Sequence, residues 1–217
     1  MDDVTARWLG RARAEDASAV VFDRMAAQLI GLDPDLAPLA DALRDAAGDE
    51  RRHAEICRGV AGAARPPDGP DDTLTAPSIA GLDAAGTLAA AAIYMLAAGE
   101  TVALALLAEA QQPPCAKAIA SALRQIETDE RRHAELGWAL LDALAVRTTT
   151  DRRTLARALS QQAVRVVLAA EAAAPDDAEL RPWGVLSRAE TRRLAMAAIS
   201  GAVAPQLARR GLWTTPG

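Results

Sequence analysis

Asp49-Glu50-Arg51-Arg52-His53-Ala54-Glu55 and Asp129-Glu130-Arg131-Arg132-His133-Ala134-Glu135 are the same seven residues, and between them they hold the only two histidines of the 217-residue chain. Each copy places a glutamate three positions before a histidine. On a helix, residues i and i+3 share a face about one turn apart, so a carboxylate and an imidazole point the same way. Two such faces opposed would enclose a pair of metal ions.

The hydrophobic pattern around each copy decides whether that face is buried. Around the first, the stripe reads Leu39, Leu43, Ala46, Glu50, His53, Cys57, Val60; around the second, Ile119, Leu123, Ile126, Glu130, His133, Gly137, Leu140. Charge sits where a leucine belongs. Burying a carboxylate beside an imidazole is costly unless the groups are paired or bound to metal. Two further segments carry one core glutamate each: Glu15 in Trp8, Ala12, Glu15, Ala19, Phe22, Ala26, Leu29, and Glu100 in Ala89, Ile93, Leu96, Glu100, Ala103, Leu107.

Hairpin geometry supports the same two glutamates. In an antiparallel hairpin, residues at one height are equidistant from the turn. Glu15 and Glu50 centre on Gly31-Leu32-Asp33-Pro34, and Glu100 and Glu130 centre on Cys115, beside Pro113-Pro114. Asp23 paired with Glu50, or Glu109 with Glu130, would centre inside a helix. Asp16 stays open by height, although it is turned about 100° off the stripe.

Punctuation divides the chain into helices. The first is expected over about Val4 to Ile30 and the second from about Pro34 to Gly62. A crossover loop is expected over 63–81, where Pro66, Pro67, Pro70 and Pro77 interrupt any periodicity. The third helix would run from about Leu82 to Gln111, and the fourth, after Gln112-Pro113-Pro114, to about Val146. A fifth starts near Asp151 with the stripe Leu155, Leu159, Ala163, Val166, Ala170 and ends before Pro175. Ser187-Arg188-Ala189-Glu190 has the form of a capping box that opens a last helix to about Arg209. The expectation is an all-α chain: a single domain over 1–217, made of a metal-binding four-helix bundle over 1–146 with one long crossover, and a helical extension of two helices over 147–217.

Composition agrees. Apolar residues make up 51% and aromatics 3%, which favours closely packed helices, and the net charge of −5 argues against nucleic acid as the main partner. The apolar stretch from Ala84 to Ala110 carries Glu100 and Glu109, so no membrane span is expected. Met1-Asp2-Asp3 does not open a secretory signal, and Cys57 and Cys115 form neither a disulfide framework nor a C-x-x-C. A cytoplasmic protein is expected.

The constellation Glu15, Glu50, His53, Glu100, Glu130 and His133, over roughly Trp8 to Leu141, resembles the ferritin-like family of di-iron carboxylate proteins. In that family two helices give one Glu each, and two give Glu-x-x-His, all pointing into a four-helix bundle. The Asp-Glu-x-Arg-His form looks like that of the bacterial di-iron monooxygenases, where the resemblance implies that Asp and Arg orient the ligating imidazole. Asp49, Asp129, Arg52 and Arg132 would take that role. The resemblance implies that these six residues are both metal ligands and the catalytic set. The donors suit two iron ions, with manganese or a mixed Mn/Fe pair as the alternative.

Around the ligands, Ala12, Ala19 and Ala103 are small enough to open a pocket or to let helices pack closely. Gly137 would leave a gap. Cys57, Glu127, Tyr94 and Trp138 are near enough in sequence to take part. Where the monooxygenases carry a threonine one turn after the third-helix ligand, Leu104 stands here.

The reading favours an oxygen-activating non-haem di-iron oxidase or monooxygenase. O2 would be its co-substrate, a small organic molecule its substrate, and an unidentified donor would supply electrons. The alternatives are an iron-binding or peroxide-scavenging protein like ferritin or rubrerythrin, a bundle whose metals only staple the fold, and a tRNA-modifying hydroxylase. The last would use Arg188, Arg192, Arg193, Arg209 and Arg210 on phosphates. A homodimer is a possible assembly.

Overall fold

A computed structural model describes residues 2–62, 79–176 and 179–214. Among them there is no strand, and the chain is all-helical as expected. The expected crossover over 63–81 lies, except for 79–81, outside the described residues. The chain divides into two compact units: Met1–Thr75, Ala110–Asp129 and Glu179–Val185 form the first, and Ala76–Glu109, Glu130–Ala178 and Leu186–Gly217 the second.

The first unit is built on a hairpin of α1 (Asp2–Leu32) and α2 (Ala37–Ala61). The chain turns where Pro34, lacking an N–H, opens the 3-10 turn Pro34–Leu36, and Asp33 caps that turn by accepting from the Asp35 amide at 3.0 Å. Gly62 ends α2 in the left-handed conformation, φ 69°, which glycine adopts without a steric penalty. Trp8, Phe22, Met25 and Leu29 of α1 are buried, as are Leu43, Ala46 and Cys57 of α2. The unit also holds the 3-10 turn Arg181–Trp183, whose Trp183 carbonyl accepts from Trp8 Nε1 at 3.1 Å. The first half of α5 (Lys117–Ala145) belongs here too, with Ile119, Leu123 and Ile126 buried.

In the second unit, α3 (Ala84–Ala92) and α4 (Gly99–Ala110) form one apolar helix interrupted by a π-turn, Ile93–Ala97. The expected third helix is therefore present, but one wide turn breaks its regular spacing. Over Ala84–Ala110 the helix is long and apolar enough to cross a membrane, and 61% of its most apolar window is buried. Asp83 caps α3 and gathers the hydroxyls of Thr148, Thr149 and Thr150 at 2.7, 2.7 and 3.2 Å. Helix α6 (Arg152–Ala173) has Asp151 at its cap and packs on α3, on the π-turn and on α7 (Arg188–Ala198). The Ser187/Glu190 capping box is formed in both directions. A second π-turn, Ile199–Val203, links α7 to α8 (Ala204–Arg209). With each π-turn counted inside its helix, six helices are described, the number that the punctuation of the sequence predicts.

Candidate metal centre

Each unit holds one buried group of two carboxylates and an imidazole. In the first, Glu15 of α1 meets Glu50 and His53 of α2, and the three offer ligand atoms within 4.8 Å of one another. Glu50 and His53 are almost fully buried, and the side chain of Glu15 keeps 13% of its exposure. Arg11 Nε donates to Glu15 at 3.2 Å along α1. The rival acids turn elsewhere: Asp16 accepts from Arg58 at 2.8 Å and Asp23 from Arg51 at 2.5 Å. One face of α1 therefore supplies the group, and its neighbours at 16 and 23 serve hairpin ion pairs.

His53 is oriented from a distance. Its Nε2 lies 3.1 Å from Asp129, and its Nδ1 lies 3.7 Å from Glu50. A carboxylate on Nε2 holds the proton there, which leaves the Nδ1 lone pair directed at the carboxylates. Arg52 reaches the same Asp129 oxygen at 3.4 Å and also closes on Asp49. Of the four residues expected to orient the imidazoles, Asp129 thus serves the histidine of the other motif copy, and Arg52 ties Asp129 to Asp49.

In the second unit, Glu100 of α4 joins Glu130 and His133 of α5, again with ligand atoms within 4.8 Å of one another, and all three are buried. Glu130 lies 2.9 Å from His133 Nδ1. The same ring nitrogen faces the same motif glutamate in both copies.

The residues present fit a metal. Glu50 Oε1 and His53 Nδ1 are buried atoms with no hydrogen bond among the described residues, although each side chain has a polar neighbour on its other atom. A buried polar atom left in this state costs about 1–3 kcal/mol, which a cation between the donors would relieve. Mixed oxygen and nitrogen donors suit iron or manganese.

The surroundings differ from expectation at one place. Gly137 leaves no gap: a Cβ built there would stand 2.7 Å from Leu96 Cβ and 2.8 Å from Ala97 Cα, because the π-turn presses its backbone onto α5. Cys57, one turn after His53, is fully buried, and that burial, only partly offset by Arg11, pushes its thiol up to about 12. Glu127 accepts from Gln111 at 2.7 Å and belongs to neither group. Tyr94 is half-buried within the first π-turn, and Trp138 is covered by the Arg210 guanidinium, 5.0 Å from the ring centroid. Leu104 is half-buried.

Gln162 of α6 escaped the sequence reading. It is fully buried, and neither of its amide atoms finds a hydrogen bond among the described residues. Its signal was the step from Leu159 to position 162 and on to Val166, which continues the apolar stripe as well as Ala163 does.

Fold and site define an all-helical protein with buried carboxylate–histidine clusters able to hold metal. No protein-family model, curated protein or solved structure matches the chain.

Proposed function

We propose that each of the two groups holds an iron ion in a ferritin-like bundle, and that the chain is an oxygen-activating non-haem di-iron oxidase or monooxygenase acting on a small organic substrate. The observation that carries this reading is the repeated buried group of two carboxylates and one imidazole. Covalent continuity adds support. Asp129, which orients His53, and Glu130, which faces His133, are successive residues of α5. Glu15, Glu50, Glu100 and Glu130 carry four negative charges when ionised, which balance two divalent cations.

In this reading Glu15, Glu50 and His53 would hold one iron and Glu100, Glu130 and His133 the other. Two reduced irons would supply the electrons that reduce O2, with an external donor restoring them between turnovers. The protein's own part is to exclude water around the carboxylates and to keep a proton on His53 Nε2 through Asp129. Iron storage or peroxide scavenging uses the same ligands and is the second reading.

Metal analysis of the purified protein, followed by anaerobic loading with ferrous iron and measurement of O2 uptake, tests the proposal. Two irons per chain with stoichiometric O2 consumption support it. Loaded iron that leaves O2 untouched favours storage or a structural role, and absence of metal binding overturns it. Glu100→Ala should lower metal content while helical content stays largely intact; unchanged metal content would remove Glu100 from the set.

A further inference from the structure

A groove of about 450 Å³ opens on the second unit, between α4, the second half of α5 and the α7–α8 region. That volume suits a small ligand. Three of its lining residues, Thr101, Arg131 and Ala134, each directly follow a member of the buried group, Glu100, Glu130 and His133. The groove thus lies about 100° around the same two helices.

Its chemistry is donor-rich. Arg209 is exposed and makes no ion pair among the described residues, and Arg131 lines the opposite helix. Gln206 gives its amide oxygen to Arg210 Nη1 at 2.8 Å, which leaves the two amide N–H groups for a ligand. Glu135 is the single anion of the lining. The largest apolar side chains of the lining are Leu104 and the indole of Trp138, beside the smaller Ala134, Ala202 and Pro205. That indole is held in place: Arg210 stacks on it and is itself fixed by a two-pronged ion pair to Asp142, at 2.6 and 2.9 Å. At Gly201, in the second π-turn, a Cβ would meet nothing within 4 Å, so the groove is open there. A π-turn at a cavity wall is a common mark of a functional position.

From this arrangement we propose that the groove binds a small organic carboxylate, its anionic end toward Arg209 and the Gln206 amide and its flat apolar body toward Trp138 and Leu104. The guanidinium fork of Arg209 matches a carboxylate better than any neutral group. The site stands independently of the metal ions and would persist in metal-free protein.

Calorimetric titration with benzoate, using benzyl alcohol as the uncharged control, tests it. Benzoate should bind one to one and benzyl alcohol about tenfold more weakly, the worth of one charge-assisted hydrogen bond. Arg209→Ala should bring benzoate to the level of the alcohol, and Gly201→Leu, which fills open space, should abolish both. Equal affinity for the two probes, no binding of benzoate, or benzoate binding unchanged in both variants overturns the proposal. Because Arg209 is exposed, its variant remains informative even if Gly201→Leu fails to fold.

Discussion

The carboxylate of Asp129 lies 3.1 Å from Nε2 of His53, so the acid that opens one copy of the motif orients the histidine of the other. The dependence runs from the first copy to the second: the imidazole of His53 takes its orienting carboxylate from outside its own motif.

Asp129→Asn tests that dependence. The amide can present its oxygen to the ring but loses the charge that makes Nδ1 a strong donor. Iron affinity should fall about 10–100-fold, the usual cost of removing such a partner. Competitive iron titration measures the loss, and circular dichroism should show unchanged helicity. Unaltered affinity would mean that the bond to His53 does not tune the metal.

Gly137→Ala should destabilise the protein by about 2–3 kcal/mol, because the new methyl meets the Leu96 side chain and Ala97 backbone, and the backbone cannot swing aside. Gly48→Ala in α2 is the control. A Cβ there meets nothing within 4 Å, so removing a helical glycine should add up to about 1 kcal/mol. Urea denaturation of both variants gives the comparison, and equal effects would refute the close approach at 137.

Acid should loosen the second unit through Asp83. Partial burial pushes its carboxyl up, but hydrogen bonds from Thr148, the Gly86 amide and Thr149 outweigh that and hold it well below the ordinary range. A carboxylate depressed in the folded state contributes stability that is complete above its unfolded pKa of about 3.9. That contribution drains away as pH falls below this value. Asp83→Asn should have a lower Tm than the parent at pH 7, and the gap should narrow on acidification toward pH 3. A gap that stays constant across that range would show that ionisation of Asp83 is not linked to folding.

The two cysteines should differ in reactivity. Burial pushes Cys57 up to about 12, so it stays a protonated, shielded thiol at neutral pH, whereas Cys115 is half-buried and only raised from its ordinary value. Iodoacetamide should label Cys115 first in native protein, and Cys57 only after unfolding, as mass spectrometry of timed samples would show. Early labelling of Cys57 would mean that the α1–α2 hairpin opens far more often than its packing implies.

Much of this architecture was legible because it rests on local chemistry. Asp151 and Ser187/Glu190 cap the helices they were expected to cap, since an N-cap is written in a few adjacent residues. The choice of Glu15 over Asp16 also followed from the sequence: a stripe fixes which side of a helix is apolar, and Arg58 takes the acid on the other side. Both π-turns were invisible. Nothing in Ile93-Tyr94-Met95-Leu96-Ala97 distinguishes a five-residue turn from a four-residue one, and the residue packed against that turn, Gly137, lies far along the chain. The groove was hidden for the same kind of reason, because Trp138, Gly201 and Arg209 come together only through packing.

The tight seat at Gly137 also bears on how the duplicated motif can drift. Any single-base change in a glycine codon that alters the residue adds a Cβ, and at 137 that atom has no room. Four residues past the other histidine, Cys57 fills a site that accepts a sulfur. The two halves of an ancestral repeat would thus be unequal in their freedom to vary: one arm can explore side chains beside its imidazole, while the other is held at the smallest residue by the turn pressed against it.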